Sequence, residues 1–180
     1  MSAALPVPLT VVSSLGNEYV FGQIAIGKNV LTQQPSAPVF WFVVIDRTTL
    51  QVVFNQTQPA SDCSTVPDLS AYNDTNHILI INTLGIGLNN PPQGALFQFI
   101  DQNGGGRELR RVEQVGLQLN CGTLGTYSYA MVGVLGNLDL PGFEASQISQ
   151  PAVGPILTLQ LLPMDVNGQT VYTPSELSGR

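Results

Sequence analysis

The chain has 180 residues, of which 43% are hydrophobic and only 10% are charged, and its formal net charge is −6. This length allows one well-formed core. Lys28 is the only lysine, which argues against nucleic acid and against an anionic membrane surface, because both attract clustered Lys and Arg. No apolar stretch approaches the roughly 20 residues that span a bilayer, so we expect no membrane insertion.

Short apolar runs separated by turn residues open the chain. The chain contains 18 glycines and 13 prolines, and this punctuation is typical of a β-rich protein. Leu5–Ser13 is restricted by prolines, which predicts an edge strand. Tyr19–Ile26 alternates between apolar and other residues and predicts a second strand. A polar, proline-bounded connection, Gln33–Pro38, follows.

The strongest pattern is a central hairpin. Val39–Ile45 is a run of seven apolar residues rich in Val, Ile, Phe and Trp, which favours a strand buried on both faces. The polar turn Asp46–Thr49 follows, and Leu50–Phe54 can pair back across it. We therefore expect Trp41 to be shielded in the middle of a layered β framework.

The second half of the chain mixes strands and helices. His77–Thr83 predicts another buried strand, and Thr126–Leu135 predicts a core strand. Between them, apolar spacing predicts two helices that flank Gly104–Gly106, namely Pro92–Asp101 and Arg107–Leu119.

The last part of the chain predicts a β-hairpin. Gly136–Gly154 has no clear period, whereas Ile156–Leu162 alternates. Asn167-Gly168 is a strong hairpin turn that joins this strand to Gln169–Thr173. Together these patterns predict an α+β fold. A β-rich, sandwich-like sheet core with two adjacent helices occupies residues 1–140, and a C-terminal extension with a β-hairpin, which could pack on the same core, occupies residues 141–180.

The cysteines and glycosylation-type triplets give weaker hints. Cys63 and Cys121 could form a disulfide or could be two free buried thiols, and the sequence leaves both alternatives open. Two Cys and one His at scattered positions give no zinc-ligand spacing, so we predict no metal and no other cofactor. Triplets at Asn55 and Asn73 have the form of N-glycosylation acceptors and hint at export.

Several segments have a family resemblance. FVVIDRTTLQVV, from Phe42 to Val53, is an apolar strand, a Thr-Thr turn and a return strand, and His77–Thr83 and Tyr127–Gly133 follow in order. From residue 19 to residue 136, this order resembles the interleukin-like EMT inducer family, whose module is also called the GG domain. Leu50 stands where that family has glycine. The resemblance implies a secreted or lumenal module that binds carbohydrate or protein and is not an enzyme.

Catalytic patterns are absent from the sequence. There is one histidine and no G-x-S-x-G motif, and carboxylates in turns mostly form caps. We therefore predict a non-catalytic extracellular recognition module that is secreted or lies on the extracellular surface. Its partner is a glycan or a protein.

A carbohydrate site would combine neutral hydrogen-bonding groups with aromatic rings, because sugar hydroxyls need donors and acceptors while the C–H face packs on a ring. The candidate ligand-binding residues are Asp46, Thr48, Asn82, Tyr127 and Tyr129. The alternative is that these side chains satisfy turns and fill the core.

A competing hypothesis is a structural role, as a subunit or domain of a larger extracellular particle or surface protein. The alternating strand after residue 155 could add to the sheet edge of a neighbour, which would give a homo-oligomer formed through the C-terminal extension.

Overall fold

The structure is a computed structural model that describes residues 4–14, 21–86, 90–119, 128–137, 139–140, 142–147 and 153–177. Strands dominate it, and two α-helices lie between the sixth and seventh strands, which confirms the predicted β-rich α+β fold. The elements are β1 (Val7–Ser14), β2 (Gly22–Ile26), β3 (Asn29–Gln33), β4 (Val39–Asp46), β5 (Val52–Pro59), β6 (His77–Leu84), α1 (Gly94–Gln102), α2 (Arg107–Leu119), β7 (Ser128–Val134), β8 (Phe143–Gln147), β9 (Val153–Val166) and β10 (Gln169–Glu176).

The ten strands form one connected sheet that divides into two halves of five strands. The half that we call the outer sheet has the order β3-β2-β1-β9-β10, and the half that we call the central sheet has the order β5-β4-β6-β7-β8. Within each half, all neighbouring strands are antiparallel. The two halves meet at a single parallel pair, Ser14 with Leu84.

The molecule has three layers. One hydrophobic core lies between the two sheets and combines side chains such as Leu9 and Leu161 of the outer sheet with Val43 and Ile80 of the central sheet. A second core lies between the other face of the central sheet and the two helices. The central sheet is therefore covered on both faces, whereas the described elements cover the outer sheet on one face.

The predicted central hairpin is confirmed. β4 pairs with β5 on one side and with β6 on the other, and Trp41 in its middle is fully buried. The indole Nε1 of Trp41 donates to Oδ1 of Asn55 at 2.7 Å, so the one polar atom of the ring has a partner. Leu50 in the hairpin turn has φ of 57°, which is the left-handed region that favours glycine.

The prediction that the first strand is an edge strand is wrong. β1 lies inside the outer sheet, between β2 and β9. Pro8 is tolerated there because its carbonyl accepts from Gly27 N in the β2–β3 turn, so its missing N–H faces a turn and not a ladder.

Two short strands were not predicted: β3 lies between the predicted strand Tyr19–Ile26 and the connection Gln33–Pro38, and β8 lies within Gly136–Gly154. Both have five residues and mixed polarity, such as Asn29-Val30-Leu31-Thr32-Gln33 for β3. Such segments have too little periodicity to predict a strand, and their pairing with β2 and β7 makes them extended.

The predicted C-terminal hairpin is present and belongs to the outer sheet. β9 pairs with β1 along seven positions from Val7–Leu161 to Ser14–Val153, and its other edge pairs with β10. From Met164 to Val171 the two strands pair with each other, and residues 164–170 are all exposed. We call this projecting ribbon, residues 162–171, the hairpin arm.

Candidate functional site

Asp46 and Thr48, two of the predicted ligand-binding residues, close the β4–β5 turn. Asp46 Oδ1 accepts from the backbone N and Oγ1 of Thr48 at 2.9 and 2.7 Å, and from the same two atoms of Thr49 at 2.8 and 3.0 Å. Burial, the largest single effect, raises the pKa of Asp46, but these hydrogen bonds together outweigh it and lower the pKa from 3.8 to about 2. The carboxylate is thus held as a turn-forming anion.

Asn82 lies inside the sandwich. It is fully buried on β6, opposite Trp41 of β4, and its Nδ2 donates to Val12 O of β1 at 2.8 Å. Its Oδ1 has no hydrogen-bond partner within the described part of the chain, and the same is true of the buried Ser128 Oγ. Asn82 therefore ties β6 of the central sheet to β1 of the outer sheet.

Tyr129 lies on the opposite face of the central sheet from Asn82, in the core beneath the helices. Its hydroxyl donates to Glu144 Oε2 at 2.8 Å. The same oxygen accepts from the backbone N of Gly106 at 2.8 Å and of Glu108 at 3.3 Å, so Glu144 caps the start of α2. Tyr129 is a fully buried support for this cap.

The structure does not bring the predicted sugar-binding residues together. Asp46 pairs with His77 at the start of β6, and Asn82 lies five residues further along this strand. At the usual strand rise, the positions of Asp46 and Asn82 are therefore about 17 Å apart. Tyr129 faces the other core. Tyr127 lies outside the described residues, as does Cys121. Cys63 has no disulfide partner among the described residues, so a Cys63–Cys121 disulfide and two free thiols both stay open.

One sheet edge is blocked by a buried arginine. The backbone of Arg47 accepts from Tyr172 N of β10 at 2.8 Å, and Arg47 Nε donates to Tyr172 O at 2.8 Å. Nη1 donates to Thr75 O at 2.6 Å and Nη2 to Thr173 Oγ1 at 2.7 Å. The side chain is only 8% exposed, and this burial lowers its pKa. Arg47 thus occupies the edge groups of β10 that another strand would need.

The other edges are also partly closed. On β8, Arg111 of α2 donates to Ser146 O at 3.3 Å and to Ser146 Oγ at 2.8 Å, so the helix lies along this edge. On β5, Tyr72 donates its hydroxyl hydrogen to Val53 O at 2.9 Å, and Pro59 has no N–H. β3 is only five residues long. Shielding of this kind prevents indiscriminate strand addition.

The outer sheet, in contrast, has a face on which no described element packs, and we call it the open face. It consists of the side chains that point away from the sandwich core, and alternation from the buried Leu9, Val11, Leu159 and Leu161 identifies them. The members described on the five strands are Pro8, Thr10, Val12, Gln23, Ala25, Val30, Thr32, Ile156, Thr158, Gln160, Leu162, Met164, Val166, Gln169, Val171 and Ser175. Thr173 has the same phase, but its Oγ1 accepts from the buried Arg47, so we leave it out.

The composition of the open face is unusual for a solvent-facing sheet. None of its described members is charged, and Ile156, Met164 and Val30 are 59%, 53% and 51% exposed. By comparison, the exposed helix α2 holds five charged residues in 13 positions. Sequence reasoning missed this face, because the alternating strand after residue 155 is uncharged in both phases and does not reveal which phase is buried.

The described residues line two concavities but form no metal-binding group. An open groove of about 330 Å³ lies between Phe99 and the segment Val66–Ser70, and an apolar cavity of about 60 Å³ lies between Phe143 and Pro174. No group of three or more His, Cys, Asp or Glu side chains among the described residues is placed to hold a metal ion. Neither described helix has the length and apolar character to cross a membrane.

Comparisons with protein-family models, with curated proteins and with solved structures found no match to this chain.

Proposed function

We propose that this protein is a non-catalytic recognition module that acts through protein contacts made by the open face of the outer sheet. The observation that carries the proposal is the exposure of Ile156, Met164 and Val30 on a face without a described charged side chain. Large apolar patches on a folded surface mark interaction sites, and the centres of protein interfaces are depleted in charged residues.

The described carboxylates support a non-enzymatic role. Asp46 accepts four hydrogen bonds from its own turn. Glu144 accepts two at the start of α2 and one from Tyr129, and Oδ1 of Asp74 lies 2.6 Å from Nδ1 of His77. Each of these acids thus has local partners that account for its position. A general acid or base needs instead to face the place where a substrate would sit.

Of the two expected ligand classes, protein is favoured over carbohydrate. The residues expected to bind a sugar are divided between a turn and two separate cores, whereas the open face runs as one uncharged surface, among the described residues, over β1, β9 and the hairpin arm. The same face would serve a subunit of a larger extracellular assembly. An extracellular location is part of the proposal, and the exposed Asn55 and Asn73 of the glycosylation-type triplets are compatible with it.

Membership of the interleukin-like EMT inducer family is also a proposal. Its support is the order of strands and helices from β2 to β7 and the left-handed φ of Leu50, at the position where the family has glycine.

Site-specific photo-crosslinking in cells of the source organism tests the proposed function. A benzophenone amino acid replaces Thr158, which is exposed on the open face, or Gln56, which is exposed on β5 and points toward the helix layer. We expect protein adducts from position 158 and few from position 56. Equal adducts from both positions, or none from either, would contradict the proposal.

A glycan array tests the alternative ligand class. We expect no glycan to be retained. If a glycan is retained, and Thr158→Lys does not change its binding, then the open face is not the recognition surface and carbohydrate is the better assignment.

A further inference from the structure

The shielding of the sheet edges points to contact through a face. Arg47 blocks β10, α2 lies along β8, and Tyr72 occupies a carbonyl of β5. Strand addition is therefore hindered at three of the four edge strands. The open face has no such protection, because no described element packs on its side of the outer sheet. A partner that packs sheet against sheet would use this face as it stands.

The charge pattern permits a partner with the same surface, provided that contact is confined to the open face. The protein has a formal net charge of −6, so two copies repel each other wherever charged surfaces meet. Among the described residues on these strands and in the turns between them, the charged ones are Lys28, Asp165 and Glu176. Lys28 lies in the β2–β3 turn, and Asp165 and Glu176 have the opposite phase to the open face. The face instead carries Thr and Gln side chains, each both a donor and an acceptor, and such groups can pair with identical groups across a two-fold axis.

The size of the face is sufficient for a dimer. With strands ~4.8 Å apart and outward residues ~6.8 Å apart along each strand, the face covers roughly 550 Å² per copy. Two copies would then bury on the order of 1,100 Å², which passes the ~1,000 Å² expected of a specific interface. The hairpin arm, with Met164 and Val166 exposed, adds apolar contact beyond the body of the sheet.

We propose that the occupant of the open face is a second copy of this chain, which packs its own open face against the first in a two-fold, sheet-on-sheet dimer. This inference rests on the proposed function, because it names the partner of the same surface. Thr158 lies beside Thr10 within the interface of each copy, so a charge introduced there would be buried without a counterion in both copies.

Sedimentation equilibrium of the purified full chain tests the dimer. We expect a species of twice 19.2 kDa at a protein concentration on the order of 0.1 mM. Thr158→Lys should weaken dimerisation at least tenfold, whereas Gln56→Lys should change it less than twofold. The two variants make the same change in net charge at exposed strand positions, so general repulsion affects both equally. Retention of the buried Trp41 emission and of cooperative unfolding shows that each variant is folded.

Two results would overturn the dimer. One is a wild-type protein that remains monomeric at this concentration, and the other is equal weakening by Thr158→Lys and Gln56→Lys. The crosslinking result then separates the two proposals. Adducts from position 158 with a different protein, together with a monomeric wild type, would leave the recognition surface intact and remove only the second copy. A monomer without adducts from position 158 would remove both.

Discussion

Replacement of Arg47 by methionine should lower the free energy of unfolding by about 3 kcal/mol. The side chain is 8% exposed and makes three hydrogen bonds, to Tyr172 O, Thr75 O and Thr173 Oγ1. Hydrogen bonds from a charged donor contribute ~1.5–3 kcal/mol each, and an acceptor left buried and unpaired costs a further ~1–3 kcal/mol. Methionine removes the cost of burying a cation, which offsets much of this loss. Water can also reach the exposed Thr75 and the partly exposed Thr173, which lowers the cost of leaving their oxygens without the arginine.

The assay is urea denaturation followed by the fluorescence of Trp41, the only tryptophan. A loss of about 3 kcal/mol in a chain of this size should also lower Tm by about 6–12 °C. Arg110→Met is the matched control, because Arg110 is 58% exposed and pairs with the exposed Asp101, so its loss should cost less than about 1 kcal/mol.

The lysine variant distinguishes hydrogen-bond geometry from charge. Arg47→Lys keeps the cation, but one ammonium group cannot reach three acceptors that lie on β10 and on the β5–β6 connection, so we expect a loss at least as large as that of Arg47→Met. If Arg47→Met destabilises no more than Arg110→Met, the arginine does not hold β10 to the central sheet and our argument about this edge fails.

Three further changes test the turns and the helix cap. Because the folded-state pKa of Asp46 is about 2 and its ordinary value is 3.8, its contribution to stability is present above pH 3.8 and is lost as the pH falls through about 2. Urea midpoints should therefore fall less steeply over this range in Asp46→Asn than in the wild type. Leu50→Gly should change stability by less than about 1 kcal/mol, since relief of the left-handed φ offsets lost packing, whereas Leu50→Val should destabilise by about 1–2 kcal/mol. Glu144→Ala should cost about 2 kcal/mol and accelerate amide exchange in the first turn of α2, because three donors lose their acceptor; unchanged exchange there would argue against the cap.

The sequence predicted the elements with the strongest apolar patterns. β4, β6 and β7 are nearly continuous apolar runs, and the bounds of α2 coincide with the predicted Arg107–Leu119. β3 and β8 were missed because their five residues have no clear alternation and become extended only through pairing. The burial of Arg47 could not be predicted either, since arginine is almost always exposed unless specific partners hold it inside.

The candidate sugar site shows why neighbouring strands do not imply neighbouring side chains. Asn82 and Tyr129 lie on adjacent strands, but Asn82 pairs with Ala130. This register places Tyr129 on the helix side of the central sheet and Asn82 on the other side. A shift of one residue in the pairing would have placed both on one face, and nothing in the local sequence fixes that choice.

The difference between a strand edge and a sheet face explains why the open face is the strongest candidate interaction surface. Strand edges attract any extended chain through backbone groups that are the same in every protein, so shielding them protects a β-rich molecule against unselective association. A face offers only side chains, and contact there depends on the shape and polarity of both partners. A protein that shields its β10 edge with Arg47 and leaves Ile156 and Met164 exposed on an uncharged face therefore excludes the unselective contact and permits the selective one.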